Sequence, residues 1–222
     1  MNRLGHFIIA IGLSCGVFSS SANETFAQQL LQLQTDWAIA NYQQRDDAQE
    51  AAFQQLQQQA ASFVASYPER AEAYIWQGII LSTQAGVVGG LGALDLAEQS
   101  KAALEQALTI DPLALDGSAY TSLGTLYFKV PGWPFGFGDD ELAAQYLQKA
   151  LTVNANGIDA NYFYGEFLYE EGDYAESAKH LEAALAAPPR PQRELADQQR
   201  QREIRELLAK VEKKLNKGKG RS

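Results

Sequence analysis

Cysteine and histidine are nearly missing from this sequence. Its 222 residues contain one cysteine, Cys15, and two histidines, His6 and His180. A disulfide framework is therefore excluded, and so is a zinc site built from Cys and His ligands. A Cys–His or Ser–His–Asp constellation would have to use a single histidine, and no nucleophile–base pairing suggests itself around His180. Asp139, Asp140 and Glu141 lack the spaced oxygen ligands of a calcium loop and read better as a helix start. No catalytic, cofactor or metal residue is expected, and the chain reads as a non-enzyme.

Cations are scarce over most of the chain. Asn23 to Pro189 holds 22 acidic and 6 basic residues, whereas Arg190 to Ser222 holds 5 acidic and 11 basic. The acidic body would repel phosphates, which argues against nucleic acid as a ligand. Membrane contact is open only to the basic C-terminal tail, which could also touch an acidic partner or the body itself.

Long apolar runs are absent except at the start. Arg3 is followed by an apolar stretch from Leu4 to Phe18 and then by small residues ending at Ser20-Ser21-Ala22. This is the pattern of a secretory signal peptide, and the stretch is too short to span a bilayer. Cleavage after Ala22, or after Ala27, would remove Cys15 and His6. Gly12 stands three residues before Cys15, where a lipoprotein would carry Leu, so lipid anchoring is not expected.

What is abundant is helical periodicity. Phe26, Leu30, Leu33, Trp37 and Ala40 step by three and four, as do Phe53, Leu56, Ala60, Phe63 and Tyr67 with Val64 beside Phe63, with a turn at 45–47 and a stop near Pro68. Residues 23–68 thus form a helical hairpin. Between Ile158 and Pro189 lies an uninterrupted helix–turn–helix unit, with Gly165 in its first helix, Gly172-Asp173 at its turn and Ala184 in its second. The same pattern recurs at Tyr74, Gly78, Leu81, Leu104, Ala107 and Pro112, and again at Tyr120, Leu123, Gly124, Tyr127, Ala143, Leu147 and Ala150. Gly165 precedes Ala184 by 19 residues, Gly78 precedes Ala107 by 29 and Gly124 precedes Ala150 by 26. Ten residues are therefore inserted near 85–95 and seven near 129–140. The first insertion carries Gly86, Gly89, Gly90 and Gly92. No strand precedes it and no Gly-Lys-Ser/Thr follows, so it reads as a flexible hairpin tip and not as a phosphate loop. The second carries Trp133, Phe135 and Phe137, spaced by proline and glycine, which form either an exposed binding patch or a cover folded onto the body. From Leu195 to Leu215 a last apolar stripe runs among alternating charges.

These spacings and residue types resemble the tetratricopeptide repeat (TPR), W-x2-L-G-x2-Y…A-x3-F…P. Residues 69–189 look like three such repeats with insertions, residues 23–68 like a degenerate fourth, and residues 190–222 like a capping helix with a basic tail. The inserted Gly89–Leu94 and Pro131–Asp139 segments are also similar to those of exported TPR proteins related to the T components of TRAP transporters. The resemblance implies an all-α, right-handed solenoid of about four hairpins with a concave groove, bacterial periplasmic location, and binding of a protein or peptide without catalysis. By the family's register, Glu72, Ile75, Ile79 and Ser82 would line that groove, followed by Ser118, Thr121, Thr125 and Phe128. Asp159, Tyr162, Glu166 and Tyr169 would continue it. This set has no Lys or Arg, so the groove is expected to suit a basic or apolar segment. The expected partner-binding residues are Trp133, Phe135, Phe137, Phe128, Tyr162, Glu166 and Tyr169. The alternative function is small-ligand binding or a transporter accessory role, with a pocket closed by the aromatic loop at 131–138.

Overall fold

A computed structural model describes residues 16–219 of the chain. The basic and apolar parts of the expected leader, together with His6 and Cys15, lie outside the described residues. Within them the chain is all-helical, with nine α-helices packed in consecutive pairs. In order these are α1 (Gly16–Gln43), α2 (Asp46–Ser66), α3 (Ala71–Val88), α4 (Gly90–Ile110), α5 (Ala114–Lys129), α6 (Asp140–Val153), α7 (Ile158–Glu170), α8 (Tyr174–Leu185) and, after a 3-10 turn at Pro191–Arg193, α9 (Glu194–Lys219).

The hairpins repeat one contact. At Gly78, Gly124 and Gly165 the partner helix comes so close that an added Cβ would stand 2.5, 2.6 and 2.9 Å from the Cγ of Leu104, Leu147 and Leu181. The three leucines are fully buried, as are Ala107, Ala150 and Ala184 one turn further on. The Gly–Leu pairs lie 26, 23 and 16 residues apart in sequence, so the same junction absorbs insertions of ten and seven. Glycine in a helix interior costs roughly 1 kcal/mol, and here the close helix packing offsets it. The outer two junctions are also tied by a buried hydroxyl. Ser100 donates to the Gly78 carbonyl and Ser177 to the Gly165 carbonyl, both at 2.7 Å. Ser177→Ala removes this bond and is expected to lower the unfolding free energy by about 1 kcal/mol, read from the urea midpoint.

The first insertion differs from the loop its glycines suggested. It lengthens both helices, so that α3 has 18 residues and α4 has 21, against 13 and 12 in α7 and α8. The chain reverses at Gly89 and Gly90 alone, both at positive φ. Gly86 and Gly92 lie inside α3 and α4.

The second insertion is a loop, and it is internally tied. Gly138 N–H donates to Pro131 O at 3.0 Å, Phe135 N–H to Gly132 O at 3.1 Å, and Asp139 N–H to Tyr127 O at 2.9 Å. A side chain at Gly138 would collide with the Val130 carbonyl. Asp139 caps α6 by accepting from Leu142 N–H at 2.9 Å. Leu94 of the lengthened α4 lies against Gly136 of this loop, so the two insertions are neighbours.

Helix α9 does more than cover the last hairpin. Its Ile204, Leu207 and Val211 are buried with Ile158, Tyr162, Leu181 and Ala184. Its start belongs elsewhere: Ala196, with Leu195, packs into the N-terminal core of Phe26, Trp37, Phe63 and Trp76. The C-terminal segment therefore runs as a strap from the first hairpin to the last.

Candidate functional site

The seven residues expected to bind a partner divide into separate places. Trp133 and Phe135 stand in solvent, 90% and 76% exposed. Phe137 folds back from the same loop onto Tyr127, edge to face at 5.6 Å, and anchors it. Phe128 packs against Phe167 at 5.8 Å. Glu166 is paired with Lys129 at 2.8 Å. Tyr169 lies against Tyr174 with Lys214 of α9 nearby. Tyr162 is buried beneath α9 with the Arg200 guanidinium 4.3 Å from its ring centre. Burial pushes the Tyr162 hydroxyl above its ordinary range, aided by Glu166. Of the seven, only Trp133 and Phe135 form a free apolar surface. The exposed carboxylates of Asp139, Asp140 and Glu141 follow them in sequence.

A second feature lies along the first helices of the hairpins. Residues of α1, α3, α5 and α7 line a chamber of about 1170 Å³ that is about half open to solvent, and Pro189 to Arg193 with Arg200 form its remaining wall. The aromatic loop is not part of it: neither Trp133 nor Phe135 lines the chamber. Seven of the twelve register positions do line it, among them Glu72, Ser118, Thr121 and Asp159. Ile75 is instead fully buried core.

The expectation of an acidic, cation-free lining is corrected. Five cations reach the chamber (Arg70, Lys129, Arg190, Arg193 and Arg200) against three carboxylates, Glu72, Asp116 and Asp159. The repeat register omits most of these cations because they are supplied by segments outside the three repeats' first helices. The charge reversal just after Pro188-Pro189 was the available signal.

Asp159 organises the strap. It accepts from Arg190 Nη1 at 2.8 Å and from Arg200 Nε at 2.9 Å. Burial alone would raise its carboxyl, but Arg200 and Arg190 outweigh burial and hold it far below the usual carboxylate range. Arg190 also binds Asp197 through Nε at 2.8 Å and through its backbone N–H at 2.8 Å, and Arg200 pairs with Glu203 at 2.6 Å. Arg70 is paired with Glu72 at 3.0 Å and stacks on Phe26 at 3.9 Å. Arg193 is different: among the described residues it has no ion pair or side-chain hydrogen bond, and its guanidinium lies over the Trp76 ring at 5.0 Å. Burial lowers its pKa, and the fields of Asp159 and Asp197 do not restore it against those of Arg190 and Arg200.

His180 sits in a structural setting. Its Nδ1 is 3.0 Å from Asn161 Oδ1, and the same amide donates to the carbonyls of Ala155 and Gly157. Among the described residues no group of His, Cys, Asp and Glu is arranged to hold a metal ion, and no helix is long and apolar enough to cross a membrane. Compared with known protein families and with curated proteins, the chain matches no family model and no curated protein.

Proposed function

We propose that this chain is an exported TPR-type scaffold that binds a protein partner through the tip loop at 131–138 and performs no chemistry of its own. The observation that carries the reading is the presentation of Trp133 and Phe135. Two large aromatic side chains stand in water, two residues apart, on a loop held by backbone hydrogen bonds and by the Phe137–Tyr127 contact. Exposing such rings is unfavourable, and the ordered loop has already lost the conformational entropy that binding would otherwise consume. Aromatic anchors of this kind dominate interface energetics. The neighbouring Asp139, Asp140 and Glu141 favour a partner with an apolar pocket and a basic rim, consistent with a basic or apolar segment on that partner. Export to the periplasm rests on the pattern of residues 1–22.

Affinity capture from a periplasmic extract with the wild type and with a Trp133→Ala/Phe135→Ala variant tests the proposal. Neither side chain is buried, so the variant is expected to keep the wild-type circular dichroism and melting temperature. It is expected to lose at least ten-fold of the captured partner, as removal of about 1.4 kcal/mol or more of binding energy requires. An unchanged set of captured proteins would contradict the tip loop as the docking surface.

A further inference from the structure

The chamber under the C-terminal strap has features that the tip-loop reading does not use. Of the five cations that line it, four have partners: Arg70 with Glu72, Lys129 with Glu166, and Arg190 and Arg200 with Asp159. Among the described residues Arg193 has no acceptor and lies over the face of Trp76. The Arg193 side chain is half-buried, none of its nitrogens is sealed from water, and its fork is open to a ligand's acceptor. The backbone opposite is strained as well. Leu115 and Asp116 both line the chamber and both take left-handed φ angles, 48° and 55°. Such conformations cost roughly 1–2 kcal/mol each for residues other than glycine and persist where the surroundings impose them. The rest of the wall is largely apolar, with Leu30, Ile79, Leu126 and Phe163 among its residues, and hydroxyls at Ser118 and Ser122. Its volume, about 1170 Å³, exceeds the roughly 300–1,000 Å³ usual for a small-molecule site, so a ligand would fill part of it.

We propose that this chamber binds a small monocarboxylate with an apolar body, its carboxylate received by the Arg193 guanidinium and its body lying along Leu30, Ile79, Leu115 and Phe163. A carboxylate matches the planar fork of arginine through two parallel hydrogen bonds. A dianion fits less well, because Glu72, Asp116 and Asp159 share the wall. A fully apolar ligand leaves Arg193 uncompensated. The strap supplies the receiving group, so ligand and strap stabilise one another by linkage.

Calorimetric titration of the full chain with decanoate, decanol and acetate, each below the concentration of micelle formation, tests this. Decanoate is expected to bind at least ten-fold more tightly than decanol, and acetate to give no measurable heat of binding. In Arg193→Gln the decanoate affinity is expected to fall to that of decanol, with the Trp133/Phe135 surface and its partner capture unchanged. Equal affinities for decanoate and decanol in the wild type would overturn the role of Arg193. Acetate binding as tightly as decanoate would overturn the role of the apolar wall, and no binding of any probe would overturn the site. If Arg193→Gln does not fold, Ser122→Trp fills the chamber from α5, and retention of decanoate binding in that variant would place the ligand elsewhere.

Discussion

Replacing Asp159 by asparagine is expected to destabilise the protein by about 2–4 kcal/mol, although the side chain keeps its size and shape. The substitution removes the one carboxylate that Arg190 and Arg200 share. Breaking a buried ion pair from one side typically costs about 3–5 kcal/mol, because the remaining charge stays desolvated without its partner. The figure is set lower here because the Asp159 side chain is 29% exposed and because Arg190 keeps Asp197 and Arg200 keeps Glu203. The loss should appear as a lower urea midpoint, with the C-terminal strap released from α1 and α7 first. The pH dependence carries a definite sign. The folded pKa of Asp159 is depressed below its unfolded value of about 3.9, so its contribution is fully present above roughly pH 4 and is lost as the pH falls below that. Wild type and Asp159→Asn should therefore differ most near neutral pH and converge in acid. A difference below about 0.5 kcal/mol at pH 7, or one that does not shrink in acid, would show that the strap is held by its apolar contacts alone.

Two glycines in comparable helices should respond in opposite directions. Gly124→Val is expected to cost about 3 kcal/mol. Helix propensity by itself slightly favours the valine. The Cβ, however, would stand 2.6 Å from Leu147 Cγ and 3.1 Å from the Ala143 carbonyl, and the valine adds two methyl groups to that crowding. Overpacking against buried groups that cannot move typically costs about 1–3 kcal/mol, and this junction sits at the upper end. Gly86→Ala, in α3, is expected to stabilise by about 0.5–1 kcal/mol, since no atom lies within 4 Å of the added methyl and the residue is helical and exposed. For a chain of this length each kcal/mol moves the melting temperature by roughly 2–4 °C, so the two variants should lie about 7–16 °C apart. Equal shifts would mean that the Gly–Leu junctions do not set the distance between paired helices.

The repeat was legible because its signals are local. Gly78, Gly124 and Gly165 sit at fixed distances from the alanines of their partner helices once the insertions are allowed for, and the close contacts with Leu104, Leu147 and Leu181 obey the same offsets. Asp139 or Asp140 was readable as a cap from its place before an apolar stripe, and it is Asp139 that caps. What the sequence did not reveal is non-local. Gly86 and Gly92 suggested a loop, but the packing of α3 on α4 outweighs the modest helix penalty of glycine there. Tyr162 was placed in the groove by register, yet α9 covers it, and nothing near Tyr162 announces a helix some forty residues later. The cationic wall of the chamber was hidden for the same reason, since Arg190, Arg193 and Arg200 follow the last repeat in sequence. The left-handed turn at Leu115 and Asp116 has no sequence signature beyond Gly117. The exposure of Trp133 and Phe135 remained open in the sequence because proline and glycine spacing suits a projecting loop and a folded one equally. The contact between Phe137 and Tyr127 is what separates them.

The most direct measurement of the central claim is site-specific photocrosslinking at the loop. A benzophenone side chain at Phe135, in the otherwise native chain, is compared with one at Gln54, an exposed position of α2 remote in sequence from the loop. The account predicts a single, reproducible protein adduct at Phe135 that is lost on Trp133→Ala and is absent at Gln54. Matching adducts at both positions, or none at Phe135 while the partner is still captured, would contradict it.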